Sequence, residues 1–177
     1  DIKEDSKSVT LAREYKKVYA PFVIKHFYKK TFKFGLLGDT QFGSKYGQIS
    51  MTHTCYKIGE EEKIDAMFHM GDLVDGFMLY GKRHLQELFL FSAEEQKNYT
   101  VEHYPRSKKF KTYVIPGNHD ESFLRDVGYN IVRDICQSRD DMIYTEPGRN
   151  FKVKNVPICL IHPTGGCSYS VSYRPQK

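Results

Sequence analysis

The sequence predicts an α/β domain, a mainly parallel sheet with helices on its faces. Three observations predict it. From residue 33 onward, short apolar runs alternate with longer stretches of helical character. The early apolar runs each end in a glycine-flanked polar cluster, as strands do where they feed sharp turns. The chain has 177 residues, enough for one domain with a real core and too few for two comfortable ones.

Taken in order, Phe34-Gly35-Leu36-Leu37-Gly38 is the first buried-strand candidate. Residues 48–62 read as a helix that ends in the acidic run Glu60-Glu61-Glu62, and residues 64–70 as the second strand. Residues 86–103 are helical again, with Phe89, Leu90 and Phe91 assigned to the core, and Pro105 stops them. Thr112-Tyr113-Val114-Ile115 is the third strand, and Ser122 suits the N-cap of a helix running to about Cys136. Two more strands follow, Phe151-Lys152-Val153-Lys154 and Ile158-Cys159-Leu160-Ile161.

Composition narrows the classes. Hydrophobic residues make up 40% and charged residues 28%, ordinary values for a soluble globular protein. No apolar run approaches the roughly 18 residues that span a bilayer, so no membrane partner is expected. Cys55, Cys136, Cys159 and Cys167 lack CxxC spacing. They read as free thiols of a reducing compartment, which places the protein in the cytoplasm and argues against a cysteine zinc site. The net charge of +5 is uneven: residues 1–33 hold nine Lys or Arg against four acids, and the remainder balances at 18 each. Residues 1–32 are therefore set apart as a basic arm or linker, and 33–177 as the domain. Aromatics interleaved in the arm would suit contact with nucleic-acid phosphates. A solvated connector is the preferred reading, because the arm has no motif.

The polar clusters carry the chemistry. The first strand runs into Gly38-Asp39-Thr40-Gln41-Phe42-Gly43, the second into Gly71-Asp72-Leu73-Val74-Asp75-Gly76. The third runs into Gly117-Asn118-His119-Asp120, the last into His162-Pro163-Thr164-Gly165-Gly166. In open α/β sheets, ligands collect beyond the C-terminal strand ends. A lone Asp there is ordinarily a turn former or cap, and Asp120 is assigned that way. Carboxylate, amide and imidazole groups at four successive strand ends point instead to hard or borderline divalent ions such as manganese or iron. Two such ions would clamp a phosphoryl group. His26, His53, His69 and His103 belong to no motif. His84 and Arg83, just past the second cluster, are candidates for lining the substrate.

In these clusters the chain resembles the calcineurin-like metallophosphoesterases, whose pattern is D-x-H, G-D-x-x-D, G-N-H-D or G-N-H-E, a lone His, then G-H-x-H. The resemblance covers residues from about 33 to the end and implies a sandwich of two mixed sheets flanked by helices. It implies two divalent ions, manganese first, with iron or zinc as alternatives. Carried over by position, Asp39 is a ligand of the first ion, with Gln41 beside it. Asp72 bridges the pair, and Asn118 and His162 hold the second. His119 contacts the phosphoryl oxygen or protonates the leaving group, and Asp75 orients it. Two departures stand out. Gln41 occupies the position where the pattern has His, and no G-H-x-H occurs before Lys177, so the C-terminal part is expected to be missing. The resemblance implies hydrolysis by a water that the two ions activate. Gly76 and Phe77 follow Asp75 where the family's protein phosphatases have Arg, which points to phosphodiesters. Asp39-Thr40 with Gly43, and His162-Pro163 with Gly165-Gly166, are similar to phage and bacterial members related to nuclease subunits of double-strand-break repair, making DNA the candidate substrate. The alternatives are a small-nucleotide phosphodiesterase or pyrophosphatase, and a non-catalytic protein that keeps the fold to bind nucleic acid or a partner.

Overall fold

A computed structural model describes residues 22–23, 30–146, 150–153 and 156–163. In chain order the described elements are β1 (Phe22–Val23), β2 (Phe34–Leu37), α1 (Ile49–Glu61), β3 (Ala66–His69), a 3-10 helix (Gly81–Gln86) and α2 (Ala93–His103). Then come β4 (Lys111–Val114), α3 (Glu121–Val127), α4 (Ile131–Gln137), β5 (Met142–Tyr144), β6 (Asn150–Val153) and β7 (Val156–Cys159).

The central sheet runs β2-β3-β4-β5, every pair parallel. Strands in sequential order with right-handed crossovers put every connecting helix on one face. That face is filled by Tyr56 of α1, Met67, Val114, Phe123 and the α4 residues Ile131, Val132 and Ile135. Side chains alternate along a strand, so Ala66, Phe68, Tyr113 and Ile115 point the other way. Among the described residues no helix covers them. A second sheet, β1-β6-β7, does so instead, burying Phe151, with Leu160 just beyond β7. Phe68 meets Phe151 edge-on at 4.9 Å between ring centroids. Two layers of sheet with helices on one side follow from strand order and side-chain alternation.

Several expectations change in detail. The central sheet is purely parallel and only the second is mixed, with β1 parallel to β6 and β6 antiparallel to β7. β1 pairs Phe22 with Phe151 and Val23 with Lys152, so two residues of the basic arm join the second sheet. The second expected helix, 86–103, begins at Ala93, because Ser92 and Glu95 form a capping box there. The helix expected from Ser122 to Cys136 is two helices, broken at Gly128, whose φ of 70° ends α3. Ser122 caps neither. Phe89 and Phe91, assigned to the core, are 40% and 49% exposed. β5 was not expected. It pairs with β4, and its approach is secured by the buried Arg139, which ion-pairs with Asp141 and donates to the Tyr104 and Pro105 carbonyls.

Among the described residues Cys55, Cys136 and Cys159 are free thiols, and no helix is long and apolar enough to cross a membrane. Residues 1–21, His26, Cys167 and the stretch from Thr164 to Gly166 lie outside the described residues.

Candidate metal-binding active site

The loops that leave β2 and β3 run side by side. Asp39 N–H donates to the Gly71 carbonyl, Gln41 N–H to the Asp72 carbonyl and Phe42 N–H to the Leu73 carbonyl, each at 3.0 Å. Asp75 N–H returns to the Phe42 carbonyl at 3.0 Å. This ladder aligns the first two clusters. Asp39, Gln41 and Asp72 all sit in the left-handed backbone region, at φ of 53°, 45° and 55°. Non-glycine residues there are strained by about 1–3 kcal/mol and concentrate at functional sites.

The third cluster, with His162 and Pro163 of the fourth, closes over this pair. Asp39, Gln41, Asp72, Asn118, His119 and His162 line one cleft of about 500 Å³, with Leu79, Tyr80 and Pro163 at its wall. The structure therefore brings together all the residues expected to hold metal. It does not bring Arg83 and His84 to the cleft: Arg83 is exposed on the 3-10 helix, and His84 is buried behind Asp75.

Both histidines of the cleft are oriented the same way. His162 Nδ1 donates to the Met70 carbonyl at 2.8 Å, and His119 Nδ1 to the Asp75 carbonyl at 2.7 Å. Each ring thus has its Nε2 left for the cleft, the arrangement that outer hydrogen bonds give to metal-binding imidazoles. His162 Nε2 lies 2.9 Å from Asn118 Oδ1 and 3.3 Å from Asp72 Oδ1. A neutral Nε2, an amide oxygen and a carboxylate oxygen are all acceptors. Their convergence needs a cation among them, either a proton on Nε2 or a metal ion. That donor set fits a divalent ion.

The protonation pattern agrees. The Asp72 carboxylate lifts His162 to about 9, outweighing partial burial. Burial alone would raise Asp72, but the hydrogen bonds from His162 and the His119 N–H hold it below the ordinary carboxylate range. Burial lowers His119, and the Asp75 carboxylate, the Asp75 carbonyl and Asp72 together more than reverse that. His119 Nδ1 is 3.4 Å from Asp75 Oδ1.

Close approach makes glycine necessary at two positions. A Cβ on Gly117 would fall 2.1 Å from Asp72 Oδ1. A Cβ on Gly76, at φ of 76°, would fall 2.3 Å from the His119 carbonyl oxygen. An arginine at position 76 is excluded by this packing.

Further residues hold the site, and the sequence offered little sign of them. Asp120, expected to cap or turn, is buried and accepts from the N–H groups of Leu73, Val74 and Gly117, stitching the second cluster to the third. Burial pushes its carboxyl up to about 7 against those donors. Ser122 does similar work, accepting from Phe77 N–H at 2.9 Å and donating to the His119 carbonyl at 2.7 Å. Gln96 of α2, fully buried, accepts from Gly76 N–H and donates to the Gly76 and Leu90 carbonyls. His69, at the end of β3, is buried under the site at 3.0 Å from the Thr40 hydroxyl, and burial drives its pKa down to about 3, keeping it neutral. Only Asp120 belongs to a recognisable motif. Gln96 lies 20 residues from Gly76, and Ser122 lies 45 residues from Phe77, whose backbone groups they hold.

A family model described as calcineurin-like phosphoesterase matches residues 32–169. No curated protein sequence matches the chain. Among solved structures the chain is similar to the nuclease MPE of Pseudomonas putida, with a TM-score of 0.35 and 17% identity. That alignment covers 64% of this chain and 47% of the nuclease, so the chain spans about half the nuclease's length.

Proposed function

The chain belongs to the calcineurin-like phosphoesterase family, and from that premise we propose that it hydrolyses phosphodiesters at the cleft lined by Asp72, His119 and His162. The convergence of His162 Nε2, Asn118 Oδ1 and Asp72 Oδ1 carries this reading, since it assembles acceptors with no use except around a cation. Asp39, Gln41 and Asp72 would hold one divalent ion, and Asp72, Asn118 and His162 a second, with manganese the first choice. When bound, such ions neutralise phosphoryl charge and lower the pKa of a water.

The chain's own residues do the rest. Asp72 sits between the two halves of the site. His119, held by Asp75, keeps a proton at Nε2 facing the cleft and gives it to the departing oxygen. Gly76 leaves the site without the arginine that would grip a monoester dianion. The narrower reading is a nucleic-acid substrate, with a small nucleotide next. Tyr80 favours a base-bearing substrate: the residue is 65% exposed and lines the cleft, and its ring lies 5.8 Å from that of His119. The free thiols fit the cytoplasm.

The test is kcat/KM with manganese on bis-p-nitrophenyl phosphate against p-nitrophenyl phosphate, then on single- and double-stranded DNA. A diester preference of at least about tenfold is expected. A monoester preference overturns the diesterase reading. Diester activity without DNA cleavage moves the substrate to small nucleotides.

A further inference from the structure

Behind His119, away from the cleft, Asp75 lies between two imidazoles. Its Oδ1 is 3.4 Å from His119 Nδ1, and its Oδ2 is 3.4 Å from His84 Nε2. The two histidine rings are 5.6 Å apart. His84 and Asp75 are 1% and 2% exposed. Asp75 Oδ2 and His84 Nε2 have no hydrogen-bond partner among the described residues, so each is left facing the other. A buried carboxylate oxygen and a buried ring nitrogen without partners are costly unless they serve each other.

Such a cluster of Asp75, His84 and His119 has the composition of a metal site, with its ligand-capable atoms within 4.8 Å of one another. The hydrogen bonds decide against that. Leu79 N–H donates to His84 Nδ1 at 3.2 Å, which makes Nδ1 the acceptor and puts the ring proton on Nε2. His119 Nδ1 carries the proton that goes to the Asp75 carbonyl. Both nitrogens that face Asp75 are therefore donors, and a donor does not ligate a metal. The His119 N–H is directed at the Asp75 carbonyl and the His84 N–H faces the carboxylate of the same residue, so Asp75 is bracketed by two donors.

We propose that His84 is a positioning residue: its Nε2–H holds the Asp75 carboxylate in the orientation that fixes the His119 ring. Tyr80 supports the arrangement, with its ring edge-on to both His84 and His119 at 6.0 and 5.8 Å. The backbone of the 3-10 helix Gly81–Gln86 delivers His84 to this place. The kinetic consequence rests on the proposed role of His119. The structural consequence does not.

Two variants separate the outcomes. His84→Leu keeps the volume and removes the donor. His84→Gln places an amide N–H close to where Nε2–H was. In long-range 1H–15N spectra of the metal-free protein, at a pH where the ring is neutral, the wild-type His119 should show a single Nδ1–H tautomer. His84→Leu should turn this into a mixture, and His84→Gln should restore it. With manganese and a poor-leaving-group diester, His84→Leu should lower kcat by about 10–100-fold at unchanged KM, and His84→Gln should recover to within about threefold. Metal content by mass spectrometry should be the same in all three. An unchanged His119 tautomer in a His84→Leu protein that melts normally would overturn the proposal. So would the loss of one metal equivalent, which would make the cluster a metal site. If His84→Leu does not fold, His84→Gln decides alone, and a disordered His119 ring there also overturns it. If the wild type hydrolyses no phosphoester, the tautomer measurement still stands, and only the reading of the cleft fails.

Discussion

The two cleft histidines begin alike and end differently. His162 and His119 each donate from Nδ1 to a backbone carbonyl in or beside the second cluster, Met70 at 2.8 Å and Asp75 at 2.7 Å. On the His162 side, Nε2 then meets two acceptors, Asn118 and Asp72. On the His119 side, the nearest carboxylate, Asp75, stands behind the ring, and Nε2 is 3.9 Å from Asp72. One ring faces a nest that wants a cation. The other is backed by an anion and left free at its tip. The same residue type is thus prepared for two tasks by where the carboxylate lies, in front of the ring or behind it.

The sharpest break of that comparison comes from substituting on each side. Asp72→Asn should lower kcat/KM on bis-p-nitrophenyl phosphate to background, whatever the leaving group. It removes the one charge shared by both halves of the site, worth several kcal/mol, and each 1.36 kcal/mol is tenfold in rate. His119→Asn should cost about 10²–10⁴-fold on an alkyl diester and far less on a p-nitrophenyl one, because only the poor leaving group needs the proton. A His119→Asn deficit independent of leaving group would erase the distinction between the two sides.

How far the sequence revealed this can be judged from particular residues. The β-α-β order and the strands at 34–37, 66–69 and 111–114 were legible because buried parallel strands form short apolar runs between helical stretches. The cleft residues were legible because they follow those strands directly. β5 was not, since three residues starting at Met142 leave no pattern to count. His84 was placed at the substrate because it follows the second cluster in sequence. Its burial depends on how the 3-10 helix folds back, and spacing does not encode that. Gln96 reaches Gly76 across 20 residues, and only packing shows it.

The next effect concerns protons on the His162 side. Asp72 raises His162 to about 9, so the metal-free ring is charged over the neutral range. The sign follows from linkage. A raised pKa means that protonation stabilises the metal-free fold fully below the unfolded value of about 6.5, and this is lost as pH rises through about 9. A metal ion held by His162 would compete for the same Nε2, and its binding would release that proton. The apparent manganese Kd should fall as pH rises between 6.5 and 9, by up to about tenfold per unit. Titration calorimetry at several pH values in two buffers gives both the affinity and the protons released. A pH-independent Kd, or one that weakens with rising pH, would place the ion away from His162.

The smallest effect is at Gln41, where the site departs from the family pattern. Its backbone is left-handed at φ of 45°, like Asp39 and Asp72. Asp, Asn and His are several-fold enriched in that region, and Gln is not among them. The backbone is held independently of the side chain, by Gln41 N–H to the Asp72 carbonyl and by Ser44 N–H to the Gln41 carbonyl, both at 3.0 Å. Replacing Gln41 by His should therefore keep the loop and ease its strain by a few tenths of a kcal/mol, raising Tm by about 1 °C. An imidazole in place of an amide suits zinc better than manganese, so zinc affinity should rise about tenfold while manganese changes little. Dye-competition titrations with each metal, beside thermal melts, read both effects. Equal gains for both metals would mean that relief of strain, not ligation, sets the affinity. A variant that melts several degrees lower, with neither metal bound more tightly, would mean that the side chain at 41 does not face an ion at all.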